Sequence, residues 1–434
     1  MSPTTTPAIQ VLRGTADILP GEVEAWQQLE TAARQLFHRY HYQEIRTPLL
    51  EEAGLFQRSV GETTDIVQKE MYVFEDRGGR PIALRPEATA SVVRAYLEHH
   101  LDKTAPFSKL YYLGPMFRAE RPQAGRLRQF HQVGVEALGA ESPFVDAEVI
   151  LLLDHLLREW GITGHRIGLS TLGCREDKQR SASALRQRLT PLAKQLCEDC
   201  QARLTRNVFR VLDCKVDACR TLAWQGGAVL SICADCQRHF DTVKQLLQRS
   251  GVAYDDTQRF VRGLDYYTRT VFEVAHDALG AKDVLGAGGR YDHLIEELGG
   301  PKLGAVGFAV GVERSLIVQQ KHQAAAAAPT ARAAGPPAPL AERRAGVFVV
   351  SIGETAQQPA WDLVARLRRD GVAAEWDPES TSLKSQMRTA DRLGFRHVAL
   401  LGESELADHT VTLKDLSTGS QERVTIDALK ARLQ

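Results

Sequence analysis

The chain has 434 residues, 43% hydrophobic and 25% charged, which is enough apolar material for buried cores in about three domains. Lys+Arg 54 equals Asp+Glu 54, so bulk charge carries no nucleic-acid signature and an RNA partner would have to be read by a local patch. No apolar run approaches the roughly 18 residues of a membrane span, and MSPTTTPAIQ lacks the charged-then-apolar layout of a signal peptide, so a cytoplasmic protein with no membrane contact is expected.

Residues 11–20 read as a lead-in loop, and the spacing of Trp26, Leu29, Ala33, Leu36 and Phe37 predicts a helix over about 21–40. In YQEIRTPLLE an extended run begins at Ile45 and contains Pro48, which a sheet tolerates only at an edge or bulge. MYVFED and PIALRP flank Arg77-Gly78-Gly79-Arg80 and read as a hairpin. A helix is predicted over 87–97, with Glu87 and Thr89 in the first turn, where an acid and a hydroxyl suit the exposed amides. Next come two strand-like runs, 110–113 and 130–135, joined by a loop that carries Arg118, Arg121, Arg126 and Arg128 against the single acid Glu120. Guanidinium fits phosphate oxygens bidentately and stays charged, although an Arg cluster alone is also compatible with a solvated hairpin tip. An amphipathic helix over 146–160 and a strand over 166–171 follow.

From about 175 to 256 the composition turns rich in Gln, Arg and Leu with helical spacing, and all seven cysteines lie between Cys174 and Cys236. We read a mostly helical insertion in a reducing compartment. Cys197-x-x-Cys200 and Cys233-x-x-Cys236 have the pair spacing of a structural zinc site. The long gap between the pairs, together with Cys214, Cys219 and His239, leaves the ligand set open, and reduced buried thiols are the alternative. RFVRGLDYYTRTVFEV returns to strand-like alternation, and VLGAGGRYD holds Gly286, Gly288 and Gly289, where backbones can approach closely. Residues 321–344 are Ala/Pro-rich and read as a linker whose Ala run is partly helical. The last segment, 345–434, alternates strands and helices as a small α/β domain; its 11 Lys+Arg against 13 Asp+Glu do not make it net basic.

Several of these stretches resemble the class II aminoacyl-tRNA synthetases. FRAER…RQFHQ…E resembles their motif 2, the 21–40 helix with the Pro48 run resembles the dimerising motif 1, and PKLGAVGFAVGVERSL resembles motif 3. LRPEAT resembles the LRPEGT stretch of histidyl-tRNA synthetases, with Ala88 where Gly is usual, and RGLDYY with GGRYD resembles the two signatures of that family. The resemblance implies an α+β fold: an antiparallel catalytic sheet of six or more strands flanked by helices (1–174 and 257–320), the helical insertion (175–256), and an α/β anticodon-binding domain (345–434). It implies activation of histidine with ATP and Mg²⁺, transfer to tRNA(His), and a homodimer. Arg118 and Arg262 would flank the α-phosphate as catalytic cations, with Arg121 and Arg314 on the outer phosphates. Glu87, Ala88, Thr89 and Gln132 would surround the histidine ammonium, Glu136 and Tyr267 would read the imidazole, and Tyr266 and Tyr291 would shape the pocket. A non-catalytic paralogue that regulates histidine biosynthesis would lack the last domain and carry degraded signatures; this chain has the domain and retains Arg118, Gln132, Arg262 and Arg314.

Overall fold

The computed structural model describes residues 9–433 apart from 63, 106, 121–125, 213, 226–230, 258–263, 281–283, 328–343 and 378–381. Two compact units divide the chain, Met1–Ala331 and Arg332–Gln434. The strands of the first unit are β1 (Gln43–Glu44), β2 (Leu50–Glu52), β3 (Tyr72–Glu75), β4 (Pro81–Leu84), β5 (Ser108–Phe117), β6 (Gln129–Leu138), β7 (Arg166–Thr171), β8 (Thr268–Ala275), β9 (Val284–Arg290) and β10 (Ala305–Gly311).

Seven of them form one sheet in the order β1-β5-β6-β10-β9-β8-β7. All its pairs are antiparallel except β1 with β5. The expected hairpin forms, with β5 and β6 paired from Ser108↔Leu138 to Phe117↔Gln129. The remaining three strands make a small sheet, β2-β4-β3. Pro48 lies between β1 and β2: in the extended run expected from Ile45, Ile45 donates to Tyr111 O of β5 at 2.8 Å and strand pairing resumes only at Leu50, in the small sheet. A residue with no N–H suits that crossing, where no ladder bond is required.

The large sheet separates two apolar layers because successive side chains alternate faces. On one face Val133, Val135, Ala137, Val306, Phe308, Val310, Phe272 and Val274 pack under the helices Val23–Arg39 and Pro143–Glu159. On the other, Leu110, Tyr112, Met116 and Leu138 pack with the helix Thr89–Glu98 and with Tyr266, Tyr267 and Tyr291. The Pro143–Glu159 helix starts three residues before its expected position: Ser142 caps it by accepting Phe144 N–H at 3.3 Å, and Pro143 stands at its first position, where a missing N–H costs nothing. Its buried Val149, Ile150, Leu152, Leu153, Leu156 and Leu157 contribute on the order of 1.5–3 kcal/mol each by leaving water.

The insertion is helical as expected, with Arg175–Leu189, Glu198–Arg206 and Asp217–Trp224 around a small core of Leu185, Leu189, Leu204 and Val211. The next helix, Ala234–Arg249, returns to the main core through Phe240, Val243 and Leu247. The helix Val312–Ala327 takes up part of the Ala run, and the rest of the expected linker, 328–343, lies outside the described residues.

The second unit has β11 (Arg344–Ser351), β12 (Ala374–Trp376), β13 (Phe395–Leu401), β14 (Thr410–Asp415) and β15 (Gln421–Thr425), in the order β12-β11-β13-β14-β15. β11 runs parallel to β12 and β13, and β14 and β15 close the sheet antiparallel. β11 is buried on both faces: Val347 and Val349 pack with the helix Gln357–Arg369, Phe348 and Val350 with Leu383–Arg392. Among the described residues no helix is long and apolar enough to cross a membrane.

Candidate active site

A cavity of about 470 Å³ opens on the tyrosine-bearing face of the seven-stranded sheet. Glu136 enters it from β6 and is 1% exposed. Its Oε1 accepts from Thr89 Oγ1 at 2.7 Å, and its Oε2 accepts from Tyr291 Oη. Gly307 faces it across the β6–β10 pair, and a Cβ there would stand 2.0 Å from Glu136 Oε2, so glycine makes room for the carboxyl. Burial pushes the Glu136 carboxyl up to about 8, against the opposing pull of the Tyr291 and Thr89 hydroxyls. Gly134 does the same for Tyr112 on the facing strand: a Cβ would lie 2.4 Å from Tyr112 Oη.

The first turn of the Thr89–Glu98 helix supplies the next wall. Glu87 accepts the amide N–H of Thr89 at 2.7 Å and of Ala90 at 3.0 Å, so it satisfies the helix terminus while lining the cavity. Burial raises its carboxyl above the usual range. Ala88, the cap residue of that helix, is fully buried in the apolar packing with Val92. Gln132 is on the wall, and its Oε1 is buried without a hydrogen-bond partner among the described residues. Tyr266 packs against both Tyr267, tilted to it at 60°, and Tyr291, edge-on at 64°, with ring centroids 4.7 and 5.5 Å away.

Two of the expected phosphate ligands reach the same cavity. Arg118 donates from Nε to Pro86 O at 2.9 Å, and its guanidinium lies 5.2 Å from the Phe130 ring centroid. Arg314, in the first turn of Val312–Ala327, donates from Nη1 to Val284 O. Arg121 and Arg262 lie outside the described residues. Arg126 is bound to Glu120 at 2.8 Å, so part of the basic loop is neutralised within itself.

Three participants were not legible in the sequence. Tyr112 lines the cavity, and its pairing with the small Gly134 is visible only once the register is known. Glu313, beside Arg314, accepts the His131 N–H at 2.8 Å and lies 3.0 Å from its Nδ1, pinning motif 3 to the end of β6. Arg290 of GGRYD is fully buried and donates to Asp146 Oδ1 at 2.9 Å through Nε and to Asp292 Oδ1 at 2.9 Å through Nη1. Asp146 Oδ2 also takes His239 Nε2 at 2.6 Å and Thr270 Oγ1 at 2.7 Å. Burial alone would raise the Asp146 carboxyl, but Arg290 and His239 hold it below the usual range. Arg290 therefore anchors the strand that delivers Tyr291 to Glu136.

The cysteines are partitioned differently from the expected set of Cys197, Cys200, Cys233 and Cys236. Cys197 and Cys200 meet Cys214 and Cys219, while Cys233 and Cys236 meet Cys174 and Asp177; within each group the donor atoms lie within 4.8 Å of one another. Pair spacing fixes which two thiols face one point, but the fold decides which pairs meet. Cys233 opens the helix that returns to the core beside Cys174, and His239 on that helix is occupied by Asp146.

With this geometry in hand, the chain can be set beside known proteins. The histidyl-tRNA synthetase family profile matches residues 14–314, and an anticodon-binding domain profile matches 346–434. A histidine–tRNA ligase of Syntrophotalea carbinolica is 45% identical over 427 residues, 98% of either chain. That of Geobacter sulfurreducens is 45% identical over 417 residues, 96% of this chain and 97% of its own. Apo histidyl-tRNA synthetase from S. aureus has the same fold, with a TM-score of 0.81 and 34% identity over 98% of this chain and 100% of that one.

Proposed function

The chain belongs to the histidyl-tRNA synthetase family and is an ATP-dependent ligase that charges tRNA(His) with histidine; from that premise we propose how its residues divide the reaction. The observation that carries the proposal is the orphaned Gln132 Oε1 in the cavity that also holds Glu136 and the two cations Arg118 and Arg314. A buried acceptor without a partner is costly unless a ligand donor meets it, and an α-ammonium has three donors to give. Gln132, Glu87 and Thr89 take that ammonium. Glu136 and Tyr267 read the imidazole N–H and ring nitrogen, and Tyr266 and Tyr291 close the pocket around the ring.

In the first step a histidine carboxylate oxygen attacks the α-phosphorus of ATP, the bond to the bridging oxygen breaks, and pyrophosphate leaves. Negative charge gathers on the non-bridging oxygens, so the protein contributes chiefly position and positive charge. Arg118 lies on one side of that phosphate, and the family resemblance supports Arg262 on the other; Arg314 and Arg121 hold the outer phosphates. Mg²⁺ would arrive with the nucleotide, where it would neutralise phosphate charge. In the second step a hydroxyl at the tRNA 3′ end attacks the adenylate carbonyl and AMP leaves.

The catalytic core comprises 1–174 and 257–320, with the insertion at 175–256, the linker at 321–344 and the anticodon-binding domain at 345–434. The enzyme works in the cytoplasm as a homodimer. Exposed Leu50 and Phe74, set on one face of the small sheet by the Leu50↔Leu84↔Tyr72 and Glu52↔Ile82↔Phe74 registers, support that assembly.

Histidine-dependent ATP–pyrophosphate exchange tests the reading. Wild-type protein exchanges only with histidine, and Arg262→His nearly abolishes exchange, by about 10³-fold or more, while sparing transfer from preformed histidyl-adenylate. Equal loss in both steps would overturn the role given to Arg262, and exchange indifferent to histidine would overturn the pocket.

A further inference from the structure

Four sulfur atoms from three separate places in the insertion converge on one point. Cys197 precedes the helix Glu198–Arg206, Cys200 lies in its first turn, Cys214 follows the short helix Val208–Val211, and Cys219 lies in the helix Asp217–Trp224. Cys197 and Cys214 Sγ are 3.9 Å apart, close to the edge of about 3.8 Å in a tetrahedron of thiolates around zinc at ~2.3 Å. All seven cysteines are free thiols. Donors point at the sulfurs: Cys197 N–H at Cys219 Sγ (3.2 Å), Val216 N–H at Cys214 Sγ (3.4 Å) and Arg203 Nη1 at Cys200 Sγ (3.9 Å). Such outer contacts steady thiolates that carry a metal. Three of the four cysteines, Cys200, Cys214 and Cys219, are buried within the small apolar core of the insertion, so an ion held there would brace it.

The second group stands at the root of the insertion. Cys174 caps the helix Arg175–Leu189 just after β7, Cys233 caps Ala234–Arg249, and Asp177 and Cys236 lie one turn in. Asp177 already ties both helix starts, accepting Cys174 N–H at 3.2 Å and Cys233 N–H at 3.1 Å.

Each group reaches the same segment of the cavity wall through one residue. Lys178, next to Asp177, donates from Nζ to Asp265 O at 3.0 Å and Tyr267 O at 2.8 Å. Asn207, between Cys200 and Cys214, donates from Nδ2 to Asp265 Oδ1 at 2.8 Å. Arg203 links Cys200 to Arg210 O at 3.2 Å, and Arg210 pairs with Asp65 at 2.6 Å.

We propose that the insertion holds two structural zinc ions, one on Cys197, Cys200, Cys214 and Cys219 and one on Cys174, Asp177, Cys233 and Cys236, and that together they fix the Asp265–Tyr267 segment. The coupling clause rests on the reading of Tyr267 as an imidazole contact; the metal clause does not. Thiolate-rich, four-donor, largely buried sites select zinc and leave no open position for chemistry. Lys178 and Asn207 act as positioning residues.

Full-length protein purified without chelator is analysed for metal. About two zinc ions per chain are expected, falling to about one in Cys200→Ser and to about one in Cys236→Ser. Cobalt substituted for zinc gives the visible bands of tetrahedral thiolate coordination, altered differently by each variant. In both variants the KM for histidine in pyrophosphate exchange rises by about tenfold, while the KM for ATP stays within about twofold. Fewer than two ions in the wild type, or a loss that does not follow the stated partition, overturns the metal assignment. Metal loss with unchanged histidine KM, or equal rises in both KM values, overturns the coupling. Should a variant fail to fold, stepwise zinc release from the wild type by a chromogenic chelator, with histidine KM and circular dichroism followed together, reads the same quantities. Two ions bound in a protein without histidine-dependent exchange would overturn the pocket reading and leave the metal count standing.

Discussion

At the scale of single residues, Gln132 and Glu136 make opposite demands on stability. Gln132 Oε1 is buried without a partner, so replacing it with an apolar side chain removes an unsatisfied group. Gln132→Leu is expected to melt at or above the wild-type temperature while its KM for histidine rises about 10- to 100-fold; a lowered melting point with unchanged KM would assign Gln132 to the scaffold. Glu136 has its folded-state pKa raised by burial from 4.5 to about 8. The folded chain then holds a proton that the unfolded chain releases, so this contribution to stability is complete below about pH 4.5 and is lost as pH rises through about 8. Glu87, raised by burial too, acts in the same sense. Thermal melts across that window should show a fall that is shallower in Glu136→Gln, and parallel curves would refute the shift. Both residues were legible as cavity-lining side chains from the motif 2 strand. The unsatisfied oxygen and the raised carboxyl were not, because each depends on what the other strands bring opposite.

Among the elements, the hairpin and most helices were legible because each is set by local periodicity, although the Ser142-Pro143 start of one helix was passed over. What periodicity could not give was the joint between them. Asp146, near the start of one helix, receives Arg290 from β9, Thr270 from β8 and His239 from a returning helix, over sequence separations of 144, 124 and 93 residues. Read alone, DAEVILLLDHLL is an amphipathic helix with an acid in its first turn. Asp146→Ala would leave the fully buried Arg290 guanidinium with one carboxylate partner fewer. A loss on the order of 3–5 kcal/mol in denaturant unfolding is expected, together with reduced histidine binding because Tyr291 follows Arg290 directly. A loss below about 1 kcal/mol would show that the site is solvated or repacks. The cysteine partition was illegible for the same reason: spacing names pairs, and only the returning helix says which pairs meet.

For the whole molecule, the separate C-terminal α/β unit was legible from the order of elements and the Ala/Pro-rich stretch, and the α+β class only through the resemblance of the motifs to the class II synthetases. The parallel pair β1–β5 in the seven-stranded sheet and the change of sheet between β1 and β2 at Pro48 were not. Sedimentation should give twice the 48.0 kDa chain mass at micromolar concentration, and Phe74→Glu should shift it toward one chain; a wild-type monomer would remove the dimer.

The 175–232 part of the insertion leaves and returns at one place, with Cys174 and Cys233 donor atoms within 4.8 Å. In evolutionary terms that makes it a cassette. Its length and content can drift, or be exchanged, without displacing any strand of the sheet, since a short bridge across that gap restores the chain path. A chain in which 175–232 is replaced by a Gly-Ser turn should retain the strand signature of the core in circular dichroism while binding histidine more weakly. Collapse of that signature would mean that core and insertion have become one inheritance unit.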